Sequence, residues 1–375
     1  MTLAPRRPPP SRSALAVWLG EFAEGFTKPS RLSAGVCVVS FVVTLAVALW
    51  FFSALVLSGP FGRFLAKSDS DAEAAATYRA LELRRSPPDS PQLLILGSSA
   101  MANAIASEQA MQVELQRSTG ERWSVSILTT PAQSTLDQLT LINAALGPPP
   151  GPRRPVVIAI EMSLMREKAS VPRLLELERM GRLGVRSEWA DAAVRDFGGR
   201  PRERSGVYLL DNYSFAILHG DKALLRLFLD RAAKVRTDGF GPPAPLPPAR
   251  RGRRQILAEL LAPHPARPLV YAVIDKLFRR LHPYPNVHVV FVESKLSPDF
   301  VAATGVQAMQ AAADARARAF AATHGAEYWP IVTEAGVGSR AYYDDLHIET
   351  GPDQGRIRTA LAHHLANYIR RRGIR

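Results

Sequence analysis

The sequence predicts an α/β protein: a three-layer parallel sheet flanked by helices, with a helical insertion, preceded by one N-terminal transmembrane helix. Three observations predict it. Short β-rich apolar runs recur at residues 93–96, 123–128, 156–160 and 287–292, each with helically spaced apolar residues nearby. That rhythm is the signature of parallel strands buried under helices on both faces. Roughly 125 residues separate the third run from the fourth, too many for a simple crossover, so a helical insertion is expected at about 166–281. Finally, residues 34–57 read AGVCVVSFVVTLAVALWFFSALVL without a single charged side chain, long enough as a helix to cross a ~30 Å hydrocarbon core.

The apolar run comes first in the chain and sets the topology. It starts well away from Met1 and is longer than the ~7–15 residues of a signal-peptide core, which favours a retained anchor over residues 34–58. Trp50, Phe51 and Phe52 lie toward one end, where amphipathic rings favour the interface, and Gly59-Pro60 ends the run. Arg6, Arg7, Arg12, Lys28 and Arg31 precede it, while Arg63 and Lys67 follow closely. This small bias places the basic tail, residues 1–33, in the cytoplasm and everything after Gly59 outside. Within the tail, residues 13–26 carry Leu15, Trp18, Leu19, Phe22 and Phe26 on one side of a short amphipathic helix; a solvated tail is an equal reading.

Residues 59–90 are expected to form a helical stalk ending in the turn Ser86-Pro-Pro-Asp-Ser90, and residues 91–375 the main domain. Helices are expected at 101–116, 135–145, 303–324 and 354–372, with a further β-like run at 328–332. In the last helix Ile357, Leu361, Leu365 and Tyr368 fall on one face, which should lie on the sheet. Inside the insertion, 223–235 and 255–261 are helix-like, and the Pro-rich then Arg-rich stretch 239–254 is an exposed connector.

Composition bounds the function. The chain has 375 residues, 47% of them hydrophobic and 22% charged, ordinary values for a protein that buries a core. Its single cysteine, Cys37, excludes an intramolecular disulfide and any Cys-based zinc site. The net charge is +13, and residues 151–260 hold 21 Lys and Arg against 13 Asp and Glu. The basic excess is either a solvated helical face or a surface for anionic glycan or lipid headgroups. No nucleic-acid reader motif accompanies it, so no nucleic-acid partner is expected. His363-His364 has no metal-ligand company, and neither metal nor cofactor is expected.

Two short motifs carry possible chemistry. The first strand ends in Leu96-Gly97-Ser98-Ser99-Ala100 just before a helix, where ligands bind in open parallel sheets. Ser98 and Ser99 there are either helix caps or a nucleophile. Far along the chain stands Tyr342-Tyr343-Asp344-Asp345-Leu346-His347. An aspartate three residues before a histidine can fix the imidazole tautomer and turn the other ring nitrogen to a serine hydroxyl. Ser99, His347 and Asp344 thus supply a nucleophile, a base and an orienter, while Asp345 is expected to be a solvated carboxylate.

On these residues the chain resembles the SGNH/GDSL hydrolase superfamily, in its membrane-anchored cell-envelope branch, which includes proteins of alginate O-acetylation and of D-alanyl transfer to teichoic acid. The resemblance covers residues 91–164 and 287–369. Leu94-Ile-Leu-Gly-Ser-Ser99 is similar to the family's first block, whose serine is the nucleophile, here Ser99. Tyr343-Asp-Asp-Leu-His347 with Gly351 is similar to the last block, which implies Asp344 and His347 as the other triad members. The middle blocks depart from the family: Thr129-Thr-Pro-Ala-Gln-Ser134 lacks the usual glycine, and Glu161-Met-Ser-Leu164 replaces Gly-x-Asn-Asp. The Ser99 backbone amide is then one candidate oxyanion donor, and the side chain of Asn103, Gln133 or Ser163 is a candidate for another. The resemblance implies an SGNH/flavodoxin-like sheet. It also implies an esterase or O-acyltransferase of the bacterial inner membrane, acting outside the cytoplasm on acyl esters of a cell-envelope or exported polysaccharide. Acylated glycan, an acyl donor and envelope-biosynthesis proteins are its implied partners. A non-catalytic assembly or glycan-binding protein of the same fold is the alternative.

Overall fold

The computed structural model describes residues 31–57, 72–169, 171–172, 174–175, 181–202, 211–212, 215, 253–261, 268–349 and 351–374. The amphipathic segment 13–26, the helix at 223–235 and nearly all of the connector 239–254 lie outside the described residues. Contacts divide the chain into two units, Met1–Ala54 and Leu55–Arg375.

The first unit contains most of helix α1, Arg31–Leu57, whose 27 residues rise about 40 Å at 1.5 Å each. Among the described residues, no helix is both long and apolar enough to cross a membrane; described side chains of α1 run unbroken only over residues 35–48. Within that stretch Val36, Val38, Val39, Phe41 and Val42 are each more than half exposed.

The second unit is built on five strands, β1 (Gln92–Leu96), β2 (Ser124–Ile127), β3 (Val156–Met162), β4 (Val287–Glu293) and β5 (Glu327–Trp329). All pair in parallel, in the order β2-β1-β3-β4-β5. Every residue of β1 and β3 is buried, which is why both read as nearly continuous apolar runs, broken only by Gln92 and Glu161, rather than as alternating ones. Their side chains alternate between two cores. Leu94, Leu96, Ile158 and Ile160 face one, with helices α2 (Ala72–Arg85), α5 (Thr135–Leu146) and α9 (Leu269–Leu281). Leu93, Ile95, Val157 and Ala159 face the other, with α3 (Ser99–Ile105), α4 (Glu108–Thr119) and α13 (Pro352–Arg372). Ile357, Leu361, Leu365 and Tyr368 of α13 all join that second core.

Four expectations change at the level of elements. The helix expected at 101–116 is two helices, because Ala106 takes φ +64° and Ser107 caps a new start through Ala110 N–H. The helix expected at 303–324 likewise splits into α10 (Pro298–Thr304) and α11 (Gln307–Thr323) at Gly305, whose left-handed φ of +69° ends the first. The last strand stops at Trp329: Pro330 cannot donate to a ladder, and Ile331–Glu334 turns helical (α12). The expected stalk, in its described part, is α2, whose Ala74, Ala75, Ala76, Tyr78, Ala80 and Leu83 are buried. Alanines give little hydrophobic signal, yet they let one helix lie close against another, here α5.

Of the insertion, four helices are described: α6 (Leu164–Glu167), α7 (Glu188–Asp196), α8 (Arg253–Leu261) and α9. Its entry is pinned by buried Glu167, which accepts hydrogen bonds from Tyr271 Oη and the Arg316 guanidinium. The strand order reverses between β1 and β3, and the carboxyl ends of strands at such a switch point are where open α/β sheets bind ligands.

Candidate functional site

Ser99 stands at that switch point. The chain leaves β1 at Leu96, turns through Gly97 and Ser98, and enters α3 with Ser99 as its first residue. Ser98 is the N-cap: extended (φ −81°, ψ −175°), with Oγ accepting from Ala100 N–H at 3.3 Å. Of the two serines, Ser98 is the cap and Ser99 faces the histidine. The Ser99 N–H, at the first helical position, has no carbonyl four residues back to bond.

His347 comes from the loop before α13. An antiparallel bridge between Tyr342 and Ile348 closes that loop, and Tyr343 N–H donates to the His347 carbonyl at 3.1 Å. Inside it Asp344 Oδ1 accepts from the Leu346 and His347 amides, both at 2.7 Å, and Oδ2 lies 2.7 Å from His347 Nδ1. A carboxylate at Nδ1 puts the proton there and leaves Nε2 as an acceptor. Ser99 Oγ lies 2.8 Å from that Nε2, though 248 residues separate the two in sequence. Burial acts to raise the Asp344 pKa, but the imidazole and the two backbone donors outweigh it and hold the carboxyl below its ordinary range. The His347 side chain is 19% exposed, so the ring remains accessible to solvent. The adjoining Asp345 contributes its backbone carbonyl to Ser297 N–H at 2.9 Å.

The three side chains proposed as oxyanion donors go different ways. Gln133 is buried and its Nε2 donates to the Leu128 carbonyl at 2.7 Å. Ser163 caps α6 by accepting from Arg166 N–H. Asn103, one turn after Ser99 on α3, is the one joined to the histidine loop: its Nδ2 donates to Tyr343 Oη at 3.1 Å. The Tyr343 ring in turn stacks on His347, centroids 5.4 Å apart and planes within 11°, and is 42% exposed. Burial pushes the Tyr343 phenol up, so it stays protonated at neutral pH.

A residue without an expected role also meets the serine turn. Glu161, near the end of β3, accepts from Ser98 N–H, and from Ser98 Oγ at 3.0 Å, while Arg166 Nη2 donates to it at 3.0 Å. The sequence signal was a lone carboxylate in an apolar strand, Val-Val-Ile-Ala-Ile-Glu-Met, at the position where the resemblance breaks.

Together the groups can deprotonate a serine as it attacks a carbonyl and return the proton to a leaving oxygen. Among the described residues, no group of three or more His, Cys, Asp or Glu is arranged to hold a metal ion. No protein-family model matches the chain, and no curated protein matches it.

Proposed function

We propose that this chain is a membrane-anchored, extracytoplasmic SGNH-type serine esterase or O-acyltransferase acting on acyl esters of a cell-envelope or exported polysaccharide. One observation carries the reading: Ser99 Oγ, His347 Nε2 and Nδ1, and Asp344 Oδ2 form a continuous relay of 2.8 and 2.7 Å at the carboxyl end of the sheet. The order β2-β1-β3-β4-β5, that of a flavodoxin-like sheet, agrees with it, as do the two motifs on which the resemblance rests.

In the proposed reaction Ser99 Oγ bonds to the ester carbonyl carbon as its proton passes to His347 Nε2. The carbonyl π electrons move to oxygen, for which the Ser99 N–H at the start of α3 and the Asn103–Tyr343 pair are the candidate donors. Collapse breaks the bond to the leaving alkoxide, which takes the proton from His347 and departs as the alcohol. The acyl-serine is then attacked by water in an esterase, or by a sugar hydroxyl in a transferase, with His347 Nε2 taking the attacking hydroxyl's proton. The acyl–Oγ bond breaks, Ser99 Oγ takes that proton from His347, and the acid or the acylated sugar departs. Asp344 holds the ring and offsets the charge of the imidazolium. The exposed valine and phenylalanine side chains of α1 are the basis for proposing a lipid anchor, which would keep the enzyme beside exported polymer.

A second reading, a non-catalytic assembly or glycan-binding protein of the same fold, draws on the commitment of Gln133 and Ser163 to other partners. A fluorophosphonate probe separates the two. Detergent-solubilised full-length protein should be labelled at one site, and Ser99→Ala should abolish the label. Absence of labelling in the wild type would favour the binding protein, and labelling that survives Ser99→Ala would remove the serine assignment. For topology, a reporter fused after Arg375 that is active only in the cytoplasm would refute the extracytoplasmic placement.

A further inference from the structure

The turn that presents Ser99 is held from beneath by a buried ion pair. Glu161 is 2% exposed and the Arg166 side chain 8%. The carboxylate takes both hydrogens that Ser98 can donate, from N–H and from Oγ, and Ser98 Oγ in turn receives Ala100 N–H. Arg166 completes the clamp, with Nη2 on Glu161 and Nη1 donating to the Gln133 carbonyl at 3.2 Å, which ties in the loop after β2. Gly97 leaves room for all this, since a Cβ there would come within 2.6 Å of Glu161 Oε2.

Such a pair is a poor device for stability alone. Removing two charges from water costs several kcal/mol each, and well-packed apolar residues of similar volume often do as well or better. Its placement is informative instead. β1 and β3 pair Leu96 with Ile160, so Glu161 lies one step further, alongside the turn. Its carboxylate bonds Ser98 and Arg166. Burial alone would push the carboxyl up, but Arg166 and the Ser98 donors hold it below its ordinary range, so it meets the turn as an anion.

We propose that Glu161, held by Arg166, is a positioning residue that fixes the Gly97-Ser98 turn so that Ser99 Oγ meets His347 Nε2. The proposal rests on the serine-hydrolase reading and adds to it a residue that never touches substrate. A nucleophile about 1 Å out of line loses on the order of 100-fold in rate while the site still admits the same molecules. The signature is therefore a fall in the maximal labelling rate with no change in the concentration of probe that half-saturates it.

The test measures fluorophosphonate labelling of the full-length protein as a function of probe concentration in wild type, Glu161→Gln, the double variant Glu161→Gln/Arg166→Met, and Ser98→Ala. The double variant leaves no unpaired guanidinium behind and so guards against simple misfolding. The expected result is full final labelling, unchanged half-saturation and a maximal rate down on the order of 100-fold in both Glu161 variants. Ser98→Ala, which keeps the ion pair, should show a smaller fall of about 10-fold. Wild-type maximal rates in the Glu161 variants overturn the proposal, as does a reduced final labelling with an unchanged rate, which would mean only a smaller folded fraction. If neither Glu161 variant folds, the Ser98→Ala rate decides: a fall supports the proposal and an unchanged rate overturns it. A wild type that is not labelled is a separate result that removes the hydrolase reading itself.

Discussion

Replacing Gly97 by alanine is the most direct perturbation of the serine turn. Its φ lies outside the left-handed region, so an L side chain meets no backbone penalty and the whole effect is one of space. The added Cβ would stand 2.6 Å from Glu161 Oε2, 2.7 Å from Met101 Cβ and 2.9 Å from Glu161 Cβ. Carbon contacts are optimal near 3.5–4.0 Å, so something must yield by roughly 1 Å. Met101 Cβ belongs to the first turn of α3 and cannot swing aside, and Glu161 is clamped by Ser98 and Arg166. Overpacking of this kind costs about 1–3 kcal/mol. In a unit of this size that corresponds to a Tm lower by roughly 2–5 °C. A similar displacement of Ser99 should lower the labelling rate on the order of 100-fold. Thermal unfolding and labelling kinetics read the two effects separately. A Gly97→Ala protein that melts and labels like the wild type would refute the steric argument and, with it, the tight coupling of Glu161 to the turn.

Asp344→Asn should slow labelling at neutral pH by about three to four orders of magnitude, since an amide no longer enforces the Nδ1–H tautomer. Because the Asp344 carboxyl is held below its ordinary value, its stabilising contribution is present above about pH 4 and lost as pH falls through the folded value. The stability gap between wild type and Asp344→Asn, followed by denaturant melts, should therefore narrow on acidification; a gap that widened would reverse the sign of the argument. Tyr343→Phe keeps the ring against His347 but loses the 3.1 Å bond from Asn103, and should cost about 1 kcal/mol or less in stability, with Tyr343→Ala slowing labelling more than Tyr343→Phe does. Leu361→Ala, in the core beneath α13, should cost about 2–5 kcal/mol in a chemical melt while the folded fraction labels at the wild-type rate.

Much of the sheet is legible from sequence because its central strands are covered on both faces and hence almost entirely apolar. Gln92–Leu96 and Val156–Met162 announce themselves in this way. The meeting of Ser99 with Asp344 and His347 is legible for a different reason: parallel strands deliver their carboxyl ends to one edge, and each motif follows an apolar run. What escapes sequence reasoning depends on individual contacts. Nothing local distinguishes Gln133, whose amide turns back to Leu128, from a donor aimed at substrate. Ser163 is one of several serines that cap helices. The split at Ala106 breaks a helical spacing that continues unbroken in the residue pattern, and α2 buries a face made mostly of alanine. Glu161 reads as an exception in its strand until Ser98 and Arg166 are seen around it.

The two halves of the relay hang from supports of unequal strength. Ser99 follows a central strand with neighbours on both sides, whereas the histidine loop comes after β5, three residues long and bonded to a single neighbour at the border of the sheet. Gentle warming should fray that border first. The imidazole would then leave with its aspartate as one closed unit, bound by the Tyr342–Ile348 bridge, and inactivation would set in at a temperature where the core is still intact.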